Sequence, residues 1–191
     1  LPISVDTQLQ DASQDQVLSA FNTFAQEQHK AILVGLVAED KAAYFNSVLG
    51  LNSVDNRPQF YHKYHLVPFG EFIPLKAVFG WVYRDWLNMP LSDLSRGEKY
   101  QQPIQLVNQK IAVNICYEDV FGEEIIRQLP QATLLVNVSN DAWYGHSSAA
   151  DQHMQFSQMR ALETGRTILR ATNTGSTTII SPQGMILALL P

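Results

Sequence analysis

Cysteine is almost absent from this chain: one, Cys116, among 191 residues. A lone cysteine closes no internal disulfide. With five scattered histidines it gives no zinc-ligand spacing, so neither a metal nor another cofactor is expected. Basic residues are also scarce, 13 against 18 acidic, for a formal charge of −5. That balance argues against nucleic acid as a partner and leaves no general basic face for anionic lipid. No run approaches the ~18 apolar residues of a membrane helix, and no signal peptide is visible. Repeats, low-complexity tracts and linkers are missing as well. What remains is 46% hydrophobic and 16% charged, enough for one domain with a real core. The chain opens without methionine and stops directly after the apolar run 185–190. A piece of a longer polypeptide, cut at both ends, is therefore expected.

Read in order, residues 1–10 look extended. Ser13 and Gln16 have the spacing of a helix capping box, and Val17, Leu18, Phe21 and Phe24 recur at helical spacing, which predicts an amphipathic helix over 14–28. Residues 31–38 (AILVGLVA) form a continuous apolar run that predicts a buried strand, and 43–51 predict a second strand. The Asn-, Asp- and Pro-rich stretch 52–58 predicts a turn. Helix, strand, turn, strand is the opening of a layered α/β domain. The stretch 75–90 (LKAVFGWVYRDWLNMP) is apolar and aromatic. It predicts either core packing or an apolar arm that takes up a greasy substrate or touches a membrane surface. Residues 91–103 read as polar loop and 133–138 as a buried strand. Residues 149–165 predict a helix capped by Gly165, on whose face His153 reads as packed. Strands follow at 168–170 and 177–180, and the turn Ser181-Pro182-Gln183-Gly184 leads into a last apolar run.

The chemistry concentrates at the end of the run 111–115. Cys116 sits where that apolar strand gives way to an acidic segment that predicts a helix over about 119–128. A strand-to-helix elbow exposes its last side chain, and the helix amides would favour a thiolate, the nucleophilic form. The competing reading is a small core cysteine. Lys63 and Glu71 lie on one strand-end loop (YHKYHLVPFGEFIP) and Cys116 on another. An ammonium can stabilise an acyl oxyanion and a glutamate can take a thiol proton, so Cys–Lys–Glu fits better than a papain-like Cys–His pair, for which no histidine has a local signature.

Five motifs occur in order: YHKYHLVPFGEFIP, ICYEDVFGEE, NVSNDAWYG, QMRALETGR and RATNTGSTTIISPQG. Together they resemble the nitrilase, or carbon–nitrogen hydrolase, superfamily, and within it the apolipoprotein N-acyltransferase branch. The resemblance implies an α-β-β-α sandwich, incomplete at both ends here, formed by residues 1–191 as one truncated domain without the flanking membrane helices. It implies a Glu-Lys-Cys triad with Cys116 as nucleophile and Lys63 as oxyanion-stabilising lysine. Glu71 would orient Lys63 or the incoming amine, and Tyr117 and Glu118 would support the site. Phe69, Trp81, Trp86 and Trp143 become candidates for binding the acyl chain. The implied partners are a phospholipid acyl donor and an apolipoprotein acceptor at the periplasmic side of a bacterial inner membrane, with the membrane reached through helices outside this chain.

The pattern also departs from the branch. Its general-base glutamate belongs to a Trp-Pro-Glu motif whose tail Leu1-Pro2 resembles, which puts the base upstream of Leu1 and implies that the fragment alone is inactive. Asp151 stands where tryptophan is usual. Two rivals stay open on the sequence: a soluble nitrilase- or amidase-type hydrolase, and a non-catalytic lipid- or partner-binding domain built on the aromatic stretch.

Overall fold

The computed structural model describes residues 13–51, 58–72, 74, 94–145 and 147–190. The expected extended segment 1–10, most of the turn at 52–58 and the aromatic stretch beyond residue 74, with Trp81 and Trp86, lie outside the described residues. Helix α1 runs Ser13–Glu27. Strands β1 (Ile32–Asp40), β2 (Ala43–Leu51) and β3 (Gln59–His62) form a three-stranded antiparallel sheet. A second sheet has six strands in the order β4 (Ile104–Leu106), β5 (Gln109–Ile115), β6 (Leu134–Ser139), β7 (Ile168–Thr172), β8 (Thr177–Ile180) and β9 (Ile186–Leu190). Its centre, β5-β6-β7, is parallel, and its flanks are antiparallel. Helix α2, Ala149–Thr164, ends at Gly165 in the left-handed region, φ 61°, as the C-cap glycine predicts.

Three apolar clusters define four layers. Leu18 and Phe21 of α1 pack on Val34, Leu49 and Leu51 of the small sheet. Val48 and Tyr61 on the other face of that sheet meet Ile104, Ile111, Val113 and Val136 of the large one. The far face of the large sheet, Ala112, Leu135 and Ile168, receives Ala161 of α2. This is the α-β-β-α sandwich expected. Central strands buried on both faces carry continuous apolar runs, which is why 111–115 and 134–138 were legible as strands.

One expectation needs correction. The helix over 119–128 does not form as one element. The segment breaks into a 3₁₀ turn Cys116–Val120, one α-helical turn Gly122–Ile125 and a second 3₁₀ turn Ile126–Gln128. Asp119, at the start of the expected helix, and Glu118 before it are instead pulled inward to bury their carboxylates. No long helix stands behind Cys116, and the dipole argument for its thiolate falls with it. Strand β4 also went unread; its three residues pair with β5 across a Val107-Asn108 turn, too short a run to show a period.

Candidate active site

Parallel strands β5, β6 and β7 end side by side, with Ile115 in register with Val138 and Val138 with Ala171. Their C-terminal loops therefore share one edge of the sandwich. Cys116 is the first residue past β5. It is half-buried and adopts φ 51°, a left-handed conformation that costs an L-residue roughly 1–2 kcal/mol. The sharp elbow expected from the sequence is present, made by backbone strain and a 3₁₀ turn.

Lys63 follows β3 directly and is 1% exposed. Its Nζ lies 2.9 Å from Oε1 and 2.8 Å from Oε2 of Glu71. Asn46 Nδ2 donates to Oε1 (2.6 Å) and the Val67 amide to Oε2 (2.8 Å). The Lys63 backbone is clamped on both sides: its amide donates to Asn46 O (2.7 Å) and its carbonyl accepts from Gly97 N (2.9 Å). A side chain on Gly97 would collide with the His62 carbonyl, so only glycine lets the two segments meet.

Glu118 links this half of the site to the cysteine. It is 2% exposed, and its carboxyl accepts four hydrogen bonds. Tyr64 N (2.8 Å) and His65 N (3.0 Å) reach Oε1, while Ile115 N (2.8 Å) and the Tyr61 hydroxyl (3.0 Å) reach Oε2. Tyr64 follows Lys63 and Ile115 precedes Cys116. One carboxyl thus holds the two strand ends against each other. Burial pushes Glu118 up to about 7, against the pull of the three amides and Lys63. Tyr61 is raised too, by burial and then by Glu118, and stays a donor.

Beside the elbow, His65 stacks on Phe121 (centroids 3.7 Å apart), and Tyr117 meets Phe121 edge-on at 5.0 Å. His65 Nδ1 lies 3.3 Å from Glu124. Phe69 is exposed (48%) on the loop between Lys63 and Glu71, with φ 65°. Trp143 lies in a 3₁₀ turn, Asp141–Tyr144, at the end of β6.

Under the elbow runs a buried polar row that the sequence reading missed. Asn114, Asn137 and Arg170 are register neighbours on β5, β6 and β7. Arg170 Nη1 donates to Asn137 Oδ1 (2.9 Å), Asn137 Nδ2 to Asn114 Oδ1 (2.6 Å), and Arg170 Nη2 to Asp141 Oδ2 (2.9 Å). His153, buried as expected, sits between Asp119 (Nε2 to Oδ1, 2.8 Å) and Asp141 (Nδ1 to Oδ1, 3.5 Å). Burial lowers its pKa, but the two carboxylates outweigh it and hold the ring up at about 9. Arg170 Nη2, 2.9 Å from Nδ1, opposes that rise and favours a neutral ring. The carboxylates prevail, because without an imidazolium the buried cluster would carry a net negative charge. The signal was present: each apolar run of 111–115, 134–138 and 168–171 is interrupted by a single polar residue near its C-terminal end.

A parallel-centred sandwich with a strained cysteine at a strand end, and a buried Lys–Glu pair tied to it by a second glutamate, defines an enzyme of the nitrilase-fold class. The chain belongs to the carbon–nitrogen hydrolase family, whose model matches residues 3–191. It is 55% identical over 183 residues to an apolipoprotein N-acyltransferase of Nitrosomonas europaea, covering 95% of this chain and 36% of that protein. It is 52% identical over 151 residues to one of Chromobacterium violaceum, covering 79% and 29%. The chain thus spans about a third of the length of the curated relatives it matches. Among solved structures, a carbon–nitrogen hydrolase of Helicobacter pylori superposes with a TM-score of 0.69 at 16% identity, over 93% of this chain and 64% of that one.

Proposed function

We propose that this chain is the acyl-transferring domain of an apolipoprotein N-acyltransferase. The observation that carries the reading is the 55% identity to the Nitrosomonas europaea protein over 95% of this chain. The site geometry supports the chemistry. Cys116 thiolate attacks the ester carbonyl of a phospholipid. Lys63, held by Glu71, faces the oxyanion of the tetrahedral intermediate. The C–O bond breaks, the lysophospholipid alkoxide leaves with a proton, and a thioester remains on Cys116. The α-amino group of a diacylglyceryl-cysteine then attacks the thioester. An amide C–N bond forms, the C–S bond breaks, and the amine proton is taken up as the thiolate is restored.

Neither described glutamate of the site is the general base. Glu118 accepts from four donors and Glu71 from three, one of them the Lys63 ammonium lying against both of its oxygens, so neither carboxylate has an oxygen to itself. Both are positioning groups, and the base is assigned to a glutamate elsewhere in a longer polypeptide, since the chain spans about a third of the length of its relatives. Tyr117 supports the site through its ring contacts with His65 and Phe121, and Phe69, Trp81, Trp86 and Trp143 take the acyl chain. The domain works at the periplasmic face of the bacterial inner membrane.

The test is intact-mass spectrometry of the full-length parent in detergent, incubated with phosphatidylethanolamine, beside Cys116→Ser. The expected result is a hydroxylamine-labile acyl adduct on Cys116 that the variant lacks. No adduct, with ammonia released from simple amides, would replace this reading with a carbon–nitrogen hydrolase.

A further inference from the structure

The carbonyl oxygen of Cys116 has two side-chain donors. His153 Nε2 reaches it at 3.1 Å from α2 and Asn137 Nδ2 at 3.2 Å from β6. Both donors are buried; Asn137 is held from behind by Arg170 Nη1 (2.9 Å to Oδ1), and the His153 imidazolium by the carboxylates of Asp119 (2.8 Å from Nε2) and Asp141 (3.5 Å from Nδ1), the two that also pair with Arg170. Arg170 is fixed in turn by Asp141 (2.9 Å) and Asp119 (3.3 Å), and Asp119 by Ser157 (2.8 Å). The network therefore ends on a single backbone atom, the carbonyl of the one residue at this strand end with a positive φ.

A left-handed residue with a side chain persists only where its surroundings over-determine it. Glu118 fixes the entry to the turn through the Ile115 amide, and the carbonyl fixes the exit. Releasing the carbonyl lets Cys116 relax toward φ below zero, which re-aims Cβ and Sγ.

We infer that His153 and Asn137 are positioning residues for the Cys116 nucleophile, acting through its carbonyl to hold the strained elbow, with the paired Arg170, Asp119 and Asp141 as their shared anchor. The histidine touches the backbone, so it is no partner of the thiol in proton transfer. The inference rests on the acyl-transfer reading only for its first readout.

The experiment compares wild type, His153→Gln and His153→Phe in the full-length protein in detergent, any cysteine outside this chain replaced by serine. Gln places an amide N–H near the position of Nε2; Phe fills the space and donates nothing. Single-turnover acylation of Cys116 by phosphatidylethanolamine is expected to slow about tenfold or more in His153→Phe, the scale of one lost positioning hydrogen bond in a strained site. The apparent affinity for the donor should not change, and His153→Gln should return to within about threefold of wild type. Iodoacetamide alkylation of Cys116 is followed in parallel and needs no acyl substrate. Its rate is expected to change in the Phe variant alone. If wild type forms no acyl-enzyme, the acyl-transfer reading fails while alkylation still decides this one. Equal impairment of Gln and Phe, or wild-type rates in Phe, overturns the inference. If His153→Phe does not fold, Asn137→Asp replaces the other donor by an acceptor of the same shape. The same loss is then expected, and a wild-type rate overturns it.

Discussion

Replacing Glu118 by glutamine tests whether this carboxyl is the strut between the two strand ends. A glutamine oxygen placed at Oε1 keeps the amides of Tyr64 and His65. Its NH₂ then faces the Tyr61 hydroxyl and the Ile115 amide. Tyr61 can rotate to accept, but the Ile115 N–H cannot, and it is left as a buried donor without a partner. Turning the amide over orphans two backbone donors instead of one. Leaving one buried donor unmade costs about 1–3 kcal/mol. A protonated glutamic acid escapes this cost, because its hydroxyl oxygen still accepts from Ile115 while its proton goes to Tyr61. Glu118→Gln is therefore expected to lose about 2 kcal/mol near pH 5.

The pH dependence has a definite sign. Burial lifts Glu118 from 4.5 to about 7 in the folded protein. A raised folded pKa contributes stability that is complete below about pH 4.5 and is lost as pH rises through about 7. The wild type loses it; the glutamine variant has no charge to bury. The difference should move by up to about 3 kcal/mol in the variant's favour between about pH 5 and pH 8.5, enough to close the gap of about 2 kcal/mol and reverse it. Urea titrations of wild type and variant at the two pH values measure it, and subtraction cancels every other titrating group. A gap that widens with pH would mean the four donors stabilise the anion more than burial penalises it, and the account of this carboxyl would be wrong.

Two further expectations follow from the charged groups. Glu71→Gln leaves the Lys63 ammonium buried beside a neutral amide, and breaking a buried pair at one end costs about 3–5 kcal/mol; a melting-point drop of no more than a degree or two would contradict it. Asp141 is held down at about 2. Burial raises it, but the hydrogen bonds from His153 and Ser139 and the charge of Arg170 overcome that. A depressed carboxylate gives stability that is present above about pH 3.8 and lost as pH falls through about 2, so the deficit of Asp141→Asn should close over that window. Acid titrations of the two proteins that run parallel would refute the assignment.

Much of the scaffold was legible because it repeats simple periods. Residues 43–51 were bounded as a strand to the residue, since β-branched, aromatic and apolar residues fill a stretch closed by the Asn-, Asp- and Pro-rich turn that follows. The α2 helix ended where Gly165 permits a left-handed cap. Cys116, Lys63 and Glu71 stood out as the residue types that acyl chemistry needs at strand ends, and the five ordered motifs resembled the family to which the chain belongs. The sequence by itself thus determined the layers, the strand ends and the chemical inventory, because burial and chain stiffness act locally and leave a pattern in the residues.

The tertiary structure decided the rest. That Glu118 faces inward, at the expense of a regular helix over 119–128, depends on amides from 53 and 54 residues away reaching its oxygens. That Asn114, Asn137 and Arg170 form one row depends on strand register, which no single strand encodes. That Cys116 holds a positive φ follows from donors on β6 and α2 that meet only when the sheet and the helix close over it. These interactions link residues distant in the chain, and their energy exists only once burial has removed the water that would otherwise satisfy the same groups.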